Sequence, residues 1–484
     1  MPTQNDHLTP ADRLEKGNPP ISPSSSPPLS PKVKTKRCTL ITSASLAIMA
    51  SIIVASFVSS EKETPPDSTR ELNSIDDKLA DDFTESSVDH MDEISYGVKN
   101  AGTTENLVGK QFSGDEFSNE NKFELVLQGE LQLVSLRYIP ESFSYSSDDT
   151  YYGVEVEFCK LDYNLHNEDP SEAPTMLHLY ELSDHCAENS YKFDLSSLAA
   201  TARDYDSQSG STTHSMKPSG FMFGEGRSGS TVISNAITVA HPQSTRVVVE
   251  NPAISYLLNA CNDLRIKHAI SDCNPLAQKL ALLDIMYLVG RTNDSFEANM
   301  YIKLSPEDNE YMAVLLDSFP DAKWTFTYRN PDVVLSKNLQ KYRDSICRKA
   351  KVAPSNAAME HAQMIGADDF TALTMAEACS AHMVAMRNIA MKESKSRSTG
   401  RLIDYDSELK TGTLLIDEIL PNVFGIDTAD MVTRSRVSDQ IGKKSGRTGG
   451  NGIWRGYDPD EDESNISMEV KHANNKFFGN RRYL

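Results

Sequence analysis

The chain reads as an α/β protein: a three-layer arrangement of one parallel sheet with helices on both faces, preceded by a small strand-rich region and an N-terminal transmembrane helix. Three observations predict this. From Gly220 onward, short apolar runs alternate with helix-compatible ones, the pattern of a parallel sheet with crossover helices. A glycine-rich turn follows the first of those runs and opens a helix. Near the N-terminus a charge-free apolar stretch carries basic residues on one side only.

Residues 1–37 are rich in Pro and Ser and lack the apolar content to order a core. Within them "KVKTKR", Lys32 to Arg37, leads directly into Cys38 to Ser60, which contains no charged residue. Roughly 20 apolar residues span a bilayer, so 38–60 predicts a signal anchor, with a cleaved signal peptide as the alternative. The basic flank keeps the tail cytoplasmic and places the rest in a lumen, a single-pass type II topology. Residues 61–100 are acidic and polar and predict a flexible stem. Of seven cysteines, Cys38 lies at the membrane edge, and Cys159, Cys186, Cys261, Cys273, Cys347 and Cys379 lie beyond it. A lumenal setting favours disulfides, with connectivity left open, and no C-x-x-C pair supports structural zinc. Asn293-Asp294-Ser295 and Asn465-Ile466-Ser467 have the form of glycosylation acceptors. The formal net charge of −21 excludes a broad nucleic-acid surface.

In 101–206 the stretch "FELVLQGELQLVSL" alternates apolar and polar residues and predicts strands. Residues 207–219 read as a polar linker, and 220–484 as the α/β domain. Its expected strands are "GFMF", "RVVVE", "ANMYIKL", "KWTFTY" and "GRLIDY". Helices are expected over Ser230 to Ala240, from Pro306 to near Phe319, over Asp332 to Lys349, and after the capping box Thr374 to Glu377. In such sheets ligands sit beyond the carboxyl ends of the strands.

"GEGRSGST", Gly224 to Thr231, falls at such an end. It has the spacing of a phosphate-cradling loop, but Ser230 stands where nucleoside triphosphatases carry lysine. Backbone N–H groups around Gly226 and Gly229, the Arg227 guanidinium and the hydroxyls of Ser228, Ser230 and Thr231 suit a phosphate or sulfate ester that needs no metal. A Gly/Ser-rich surface turn is the plain alternative.

A second segment, "FPDAKWTFTYRNPDVVLSK", places Arg329 and Ser336 across a strand-to-helix junction. Together the two segments resemble the PAPS-dependent sulfotransferases, in the bacterial and algal branch with a P-loop-like fold (PAPS is 3′-phosphoadenosine 5′-phosphosulfate). "RVVVENPAISYLL", "YIKLSP", "AEACSAHM" and "RLIDYDSEL" resemble further landmarks of that family, and the likeness spans roughly Gly220 to Asp458. "KKSGRTGGNGIW", Lys443 to Trp454, resembles its basic loop over the nucleotide, and a solvated basic loop is the alternative. The resemblance implies that the 224–231 loop holds the 5′-phosphosulfate and that Arg329 and Ser336 hold the 3′-phosphate. Ser336 lies one residue closer to its arginine than the family's spacing. A helix turns about 100° per residue, so its hydroxyl points elsewhere unless the turn compensates.

For such a reaction Lys303 is the candidate for stabilising charge and Glu250 the candidate base, the alternative for Glu250 being a strand-end acid that pairs with a cation. His241, at the far end of the loop helix, is a poorer base. The resemblance implies PAPS as donor with no metal, a hydroxyl-bearing carbohydrate, lipid or small metabolite as acceptor, and, with the topology, residence in the Golgi membrane. Two other readings stay open. One is a Mn²⁺-dependent type II glycosyltransferase using Asp404 and Asp406, with Asp204-Tyr205-Asp206 as a second such triplet. The other is a non-catalytic lumenal nucleotide-binding protein.

Overall fold

The computed structural model describes residues 116–138, 144–145, 151–183, 186, 190–260, 275–340, 346–442 and 466–479. The chain divides into two units, Met1–Asp92 and Glu93–Leu484, and all described residues belong to the second. The expected tail, anchor and stem, Cys38, Cys261, Cys273, Asn465 and the Lys443 to Trp454 segment lie outside the described residues. Among the described residues no helix is long and apolar enough to cross a membrane.

The N-terminal part is mixed rather than simply strand-rich. "FELVL" completes a helix, α1 (Glu116–Leu127), and only the second half of the alternating stretch is a strand, β1 (Gln132–Tyr138). Gly129, at φ 71°, ends the helix: its N–H donates to Val126 O at 3.1 Å while the Glu130 N–H reaches Leu125 O at 3.0 Å. That pair of bonds is the Schellman closure, which needs a left-handed residue where only glycine is unstrained. β1 pairs antiparallel with β2 (Val154–Cys159), which pairs with β3 (Tyr191–Asp194). A helix α2 (Leu195–Ser207) follows. The expected linker 207–219 is not free chain: His214–Ser215 pairs antiparallel with Arg291–Thr292. Buried Arg291 ties the region down, donating to Val126 O, Leu127 O and Asp206.

Five strands then form the central sheet: β4 (Pro218–Gly224), β5 (Thr245–Val249), β6 (Asn299–Lys303), β7 (Lys323–Tyr328) and β8 (Gly400–Asp404). Their order is β8-β7-β4-β6-β5, all parallel. Successive side chains point to opposite faces, so each apolar strand serves two cores. Met222, Val247, Val249, Tyr301 and Ile403 pack with α3 (Ser230–Ala240), the segment Leu415–Val423 and α8 (Met431–Gly442), while Phe221, Phe223, Val248, Ile302, Trp324 and Phe326 face the other core. That second core takes in α4 (Pro252–Asn259), α5 (Pro275–Val289), α7 (Met375–Ser396) and α9 (Met468–Phe478). The helix expected over Asp332 to Lys349 is described as two pieces, α6 (Pro331–Gln340) and Ile346–Val352. Cys347–Cys379 ties the second piece to α7, and Cys159–Cys186 anchors the end of β2.

Candidate active site

The carboxyl ends of β4 to β8 share one edge, and the glycine-rich loop rises from the middle strand. Asn309 grips Gly224 from both sides, its Nδ2 donating to Gly224 O at 3.0 Å and its Oδ1 accepting from Gly224 N at 3.3 Å. A Cβ on Gly224 would stand 2.1 Å from Thr327 Oγ1, so only glycine lets the loop lie this close to β7. The loop then makes two left-handed turns, at Arg227 (φ 69°) and Gly229 (φ 95°). A non-glycine residue with positive φ costs free energy, a strain that concentrates at functional sites. Gly229 caps α3 without any side-chain hydrogen bond to its first turn. The first-turn N–H groups and the positive end of the helix dipole are therefore presented without a side-chain acceptor, beside half-buried Ser230 and Thr231.

Ser228 does not join them. Its buried hydroxyl is spent inside the loop, lying 2.6 Å from Glu225 O, 2.8 Å from Thr327 O and 2.9 Å from Thr327 Oγ1. In this arrangement the hydroxyl braces the loop against β7. Gly226 touches α6 instead, where Asn338 Nδ2 donates to its carbonyl at 3.4 Å.

Beneath the loop lies a buried fork that sequence reasoning missed. Arg387, on α7, pairs with Glu225 through Nε to Oε1 and through Nη2 to Oε2 at 2.9 Å. The same Nη2 donates to Arg329 O, and Glu225 Oε2 accepts from Arg329 N at 3.4 Å. One buried ion pair thus welds the glycine-rich loop to the end of β7. The signal was present: Arg387 is a lone cation on the apolar face of a long helix, "SAHMVAMRNIAM".

Arg329 itself is buried, its Nε donating to Asp406 Oδ1 at 3.0 Å, and its guanidinium lies 4.9 Å from the centre of the Tyr405 ring. Asp406 Oδ2 also accepts from Asn330 N at 3.2 Å. The Tyr405 ring rests on Gly229, where a Cβ would meet its Cδ2 at 2.2 Å. Asp404 is spent capping the next turn, accepting from Asp406 N at 3.0 Å. The Asp404/Asp406 pair expected for a metal is therefore divided between a helix cap and an arginine. Asp206 of the other triplet pairs with Arg291 and Tyr287. Among the described residues no group of three or more His, Cys, Asp or Glu is placed to hold a metal ion.

Ser336 is half-buried, inside α6. On the other side of β4, buried Lys303 ends β6 and forms an ion pair with Glu250, which follows β5 with φ 52°. The Glu250 N–H donates to Lys303 O at 2.8 Å, so the pair is fixed by backbone as well as charge. His241 lies at the opposite end of α3, 3.2 Å from Asp427 O. The structure thus brings Gly226, Arg227, Gly229, Ser230, Thr231, Arg329, Glu250 and Lys303 to one sheet edge.

No family model matches the chain, and no curated protein matches it. Among solved structures it is similar to the sulfotransferase domain from the Synechococcus PCC 7002 olefin synthase, at 14% identity and a TM-score of 0.30, over 55% of this chain and 95% of that one. A likeness at this level decides nothing about the site.

Proposed function

We propose that the chain is a sulfotransferase that moves a sulfuryl group from PAPS to a hydroxyl of a carbohydrate, lipid or small metabolite. The observation that carries this reading is the uncapped N-terminus of α3 behind a loop with a left-handed arginine, at the edge where Arg329 also emerges. The residues fit an anionic, metal-free donor. Backbone N–H groups of the loop and Arg227 supply positive charge. Without a lysine at Ser230, the loop lacks the charge clamp of triphosphate hydrolysis.

In the reaction, the acceptor oxygen forms a bond to sulfur as the bond from sulfur to the phosphate oxygen breaks. Arg227 and the loop N–H groups stabilise charge on the departing phosphate, and Lys303 that on the transferring group. Glu250 takes the acceptor's proton, and its fixed backbone holds it in place for that transfer. Tail, anchor and stem extend the reading to a type II Golgi membrane protein with these strands in the lumen. Protease protection of the region after Ser60 in sealed vesicles tests the topology, and digestion there sinks it.

Activity is tested by incubating the protein with radiolabelled PAPS and an extract of endogenous polysaccharides and small metabolites, without added metal. The expected result is label in an acceptor and loss of that label with Arg227→Ala. Stabilisation by Mn²⁺ with a sugar nucleotide, and not by adenosine 3′,5′-bisphosphate, would reverse the assignment.

A further inference from the structure

We infer that Asp406 restrains recognition of a 3′-phosphate at Arg329 and so sets how strongly the site distinguishes a nucleotide bearing that group from one without it. The inference rests on the sulfotransferase reading proposed above. Asp406 is held by two hydrogen bonds. Its Oδ1 accepts from Arg329 Nε at 3.0 Å and its Oδ2 from Asn330 N at 3.2 Å, which pins the carboxylate at the strand-to-helix junction. Its partner guanidinium is buried, whereas Asp406 keeps a third of its side-chain surface exposed, 33% against 4%.

Tyr405 completes the geometry. Its ring touches Gly229, at the start of α3, and also the Arg329 guanidinium, so Arg329 is linked through one ring to the loop assigned to the 5′ end. A phosphate reaching Arg329 from that loop meets an arginine whose charge is already matched. It also meets a fixed carboxylate a few ångströms off, and like charges at that range repel appreciably even near a protein surface. The nearby Glu225 does not add to this repulsion, because Arg387 matches it. Asp406 is therefore the acidic group that lowers the net attraction for a phosphate there.

The test is calorimetric titration of the full-length protein with adenosine 3′,5′-bisphosphate and with adenosine 5′-monophosphate, at two salt concentrations. Asp406→Asn keeps the shape of the side chain and removes the charge. It should bind the bisphosphate about tenfold more tightly, with a steeper salt dependence, and leave the monophosphate unchanged. Asp406→Ala, checked for folding by thermal denaturation, should move in the same direction. A residue that merely orients Arg329 predicts the opposite sign, so weaker or unchanged bisphosphate binding in the folded variants overturns the inference. Equal affinity of the wild type for the two nucleotides, unchanged in both variants, also overturns it. Failure of the wild type and both variants to bind either nucleotide sinks the sulfotransferase reading, and the inference with it.

Discussion

Two ion pairs flank the end of β7, and they are built differently. Glu225 and Arg387 are both sealed from solvent, at 1% and 2% side-chain exposure, and bond through two nitrogens, with Arg329 O and Arg329 N adding further contacts. Arg329 and Asp406 form a pair in which only the arginine is buried, and the acid faces the open edge of the sheet. A buried pair with its hydrogen bonds satisfied is costly to break from one side, because an uncompensated charge remains. A half-exposed pair costs less to disturb, because water reaches the charge that remains. The first holds the loop in shape, and the second keeps its acid in reach of solvent.

That contrast breaks most visibly at Arg387. Arg387→Ala should destabilise the fold by about 3–5 kcal/mol, since it strands the Glu225 carboxylate in the interior. Denaturant unfolding measures this, and a loss below about 1 kcal/mol would show that the fork is not a structural weld. Next come the two arginines proposed to bind the nucleotide. Arg227→Ala and Arg329→Ala should each weaken adenosine 3′,5′-bisphosphate binding by roughly 2–4 kcal/mol. Arg329→Ala should leave adenosine 5′-phosphosulfate almost untouched, whereas Arg227→Ala should weaken both nucleotides. Equal losses for Arg329→Ala with and without the 3′-phosphate remove that residue from the site.

A third outcome concerns the frame under Lys303. Asp308 caps the turn after β6, accepting from Ser305 N at 3.1 Å, Ser255 Oγ at 2.6 Å and Asn259 Nδ2 at 2.9 Å. Burial, with Glu307 adding repulsion, pushes its carboxyl up to about 7. The folded state then keeps a proton that the unfolded chain releases above its ordinary value of 3.8. Stability from this group is therefore lost as pH rises from about 4 to about 7, at up to about 1.4 kcal/mol per pH unit. Asp308→Asn should flatten that part of the stability profile, and an unchanged slope counts against the assignment. The smallest effect belongs to Ser336→Ala. It should cost about 1 kcal/mol of bisphosphate affinity if the hydroxyl reaches the 3′-phosphate, and nothing if the shortened spacing turns it away.

Both ion pairs escaped the sequence for the same reason. Glu225 reads as an arbitrary residue inside "GEGRSG", and Arg387 lies far away in the chain, so nothing local links them. Asp406 was visible only as half of an Asp-x-Asp triplet. Its partner Arg329 became evident once β7 and β8 were found side by side, with Tyr328 opposite Asp404. The hydrogen bonds of the Ser228 hydroxyl to Glu225 and Thr327 were equally hidden, because they form only across the loop and the neighbouring strand.

What the sequence determined by itself was periodic or local. Continuous apolar runs bounded by turn residues mark the five parallel strands, since burial on both faces leaves no polar alternation. The glycine spacing of the loop, the capping box at Thr374 and the helix it opens were equally legible, because each is settled within a few residues. Tertiary structure alone decided the strand order, the division of "FELVLQGELQLVSL" into helix and strand, and which carboxylate meets which cation. Those depend on chain segments that approach one another only after the sheet has formed, and the energies that choose among them come from burial and charge pairing rather than from local propensity.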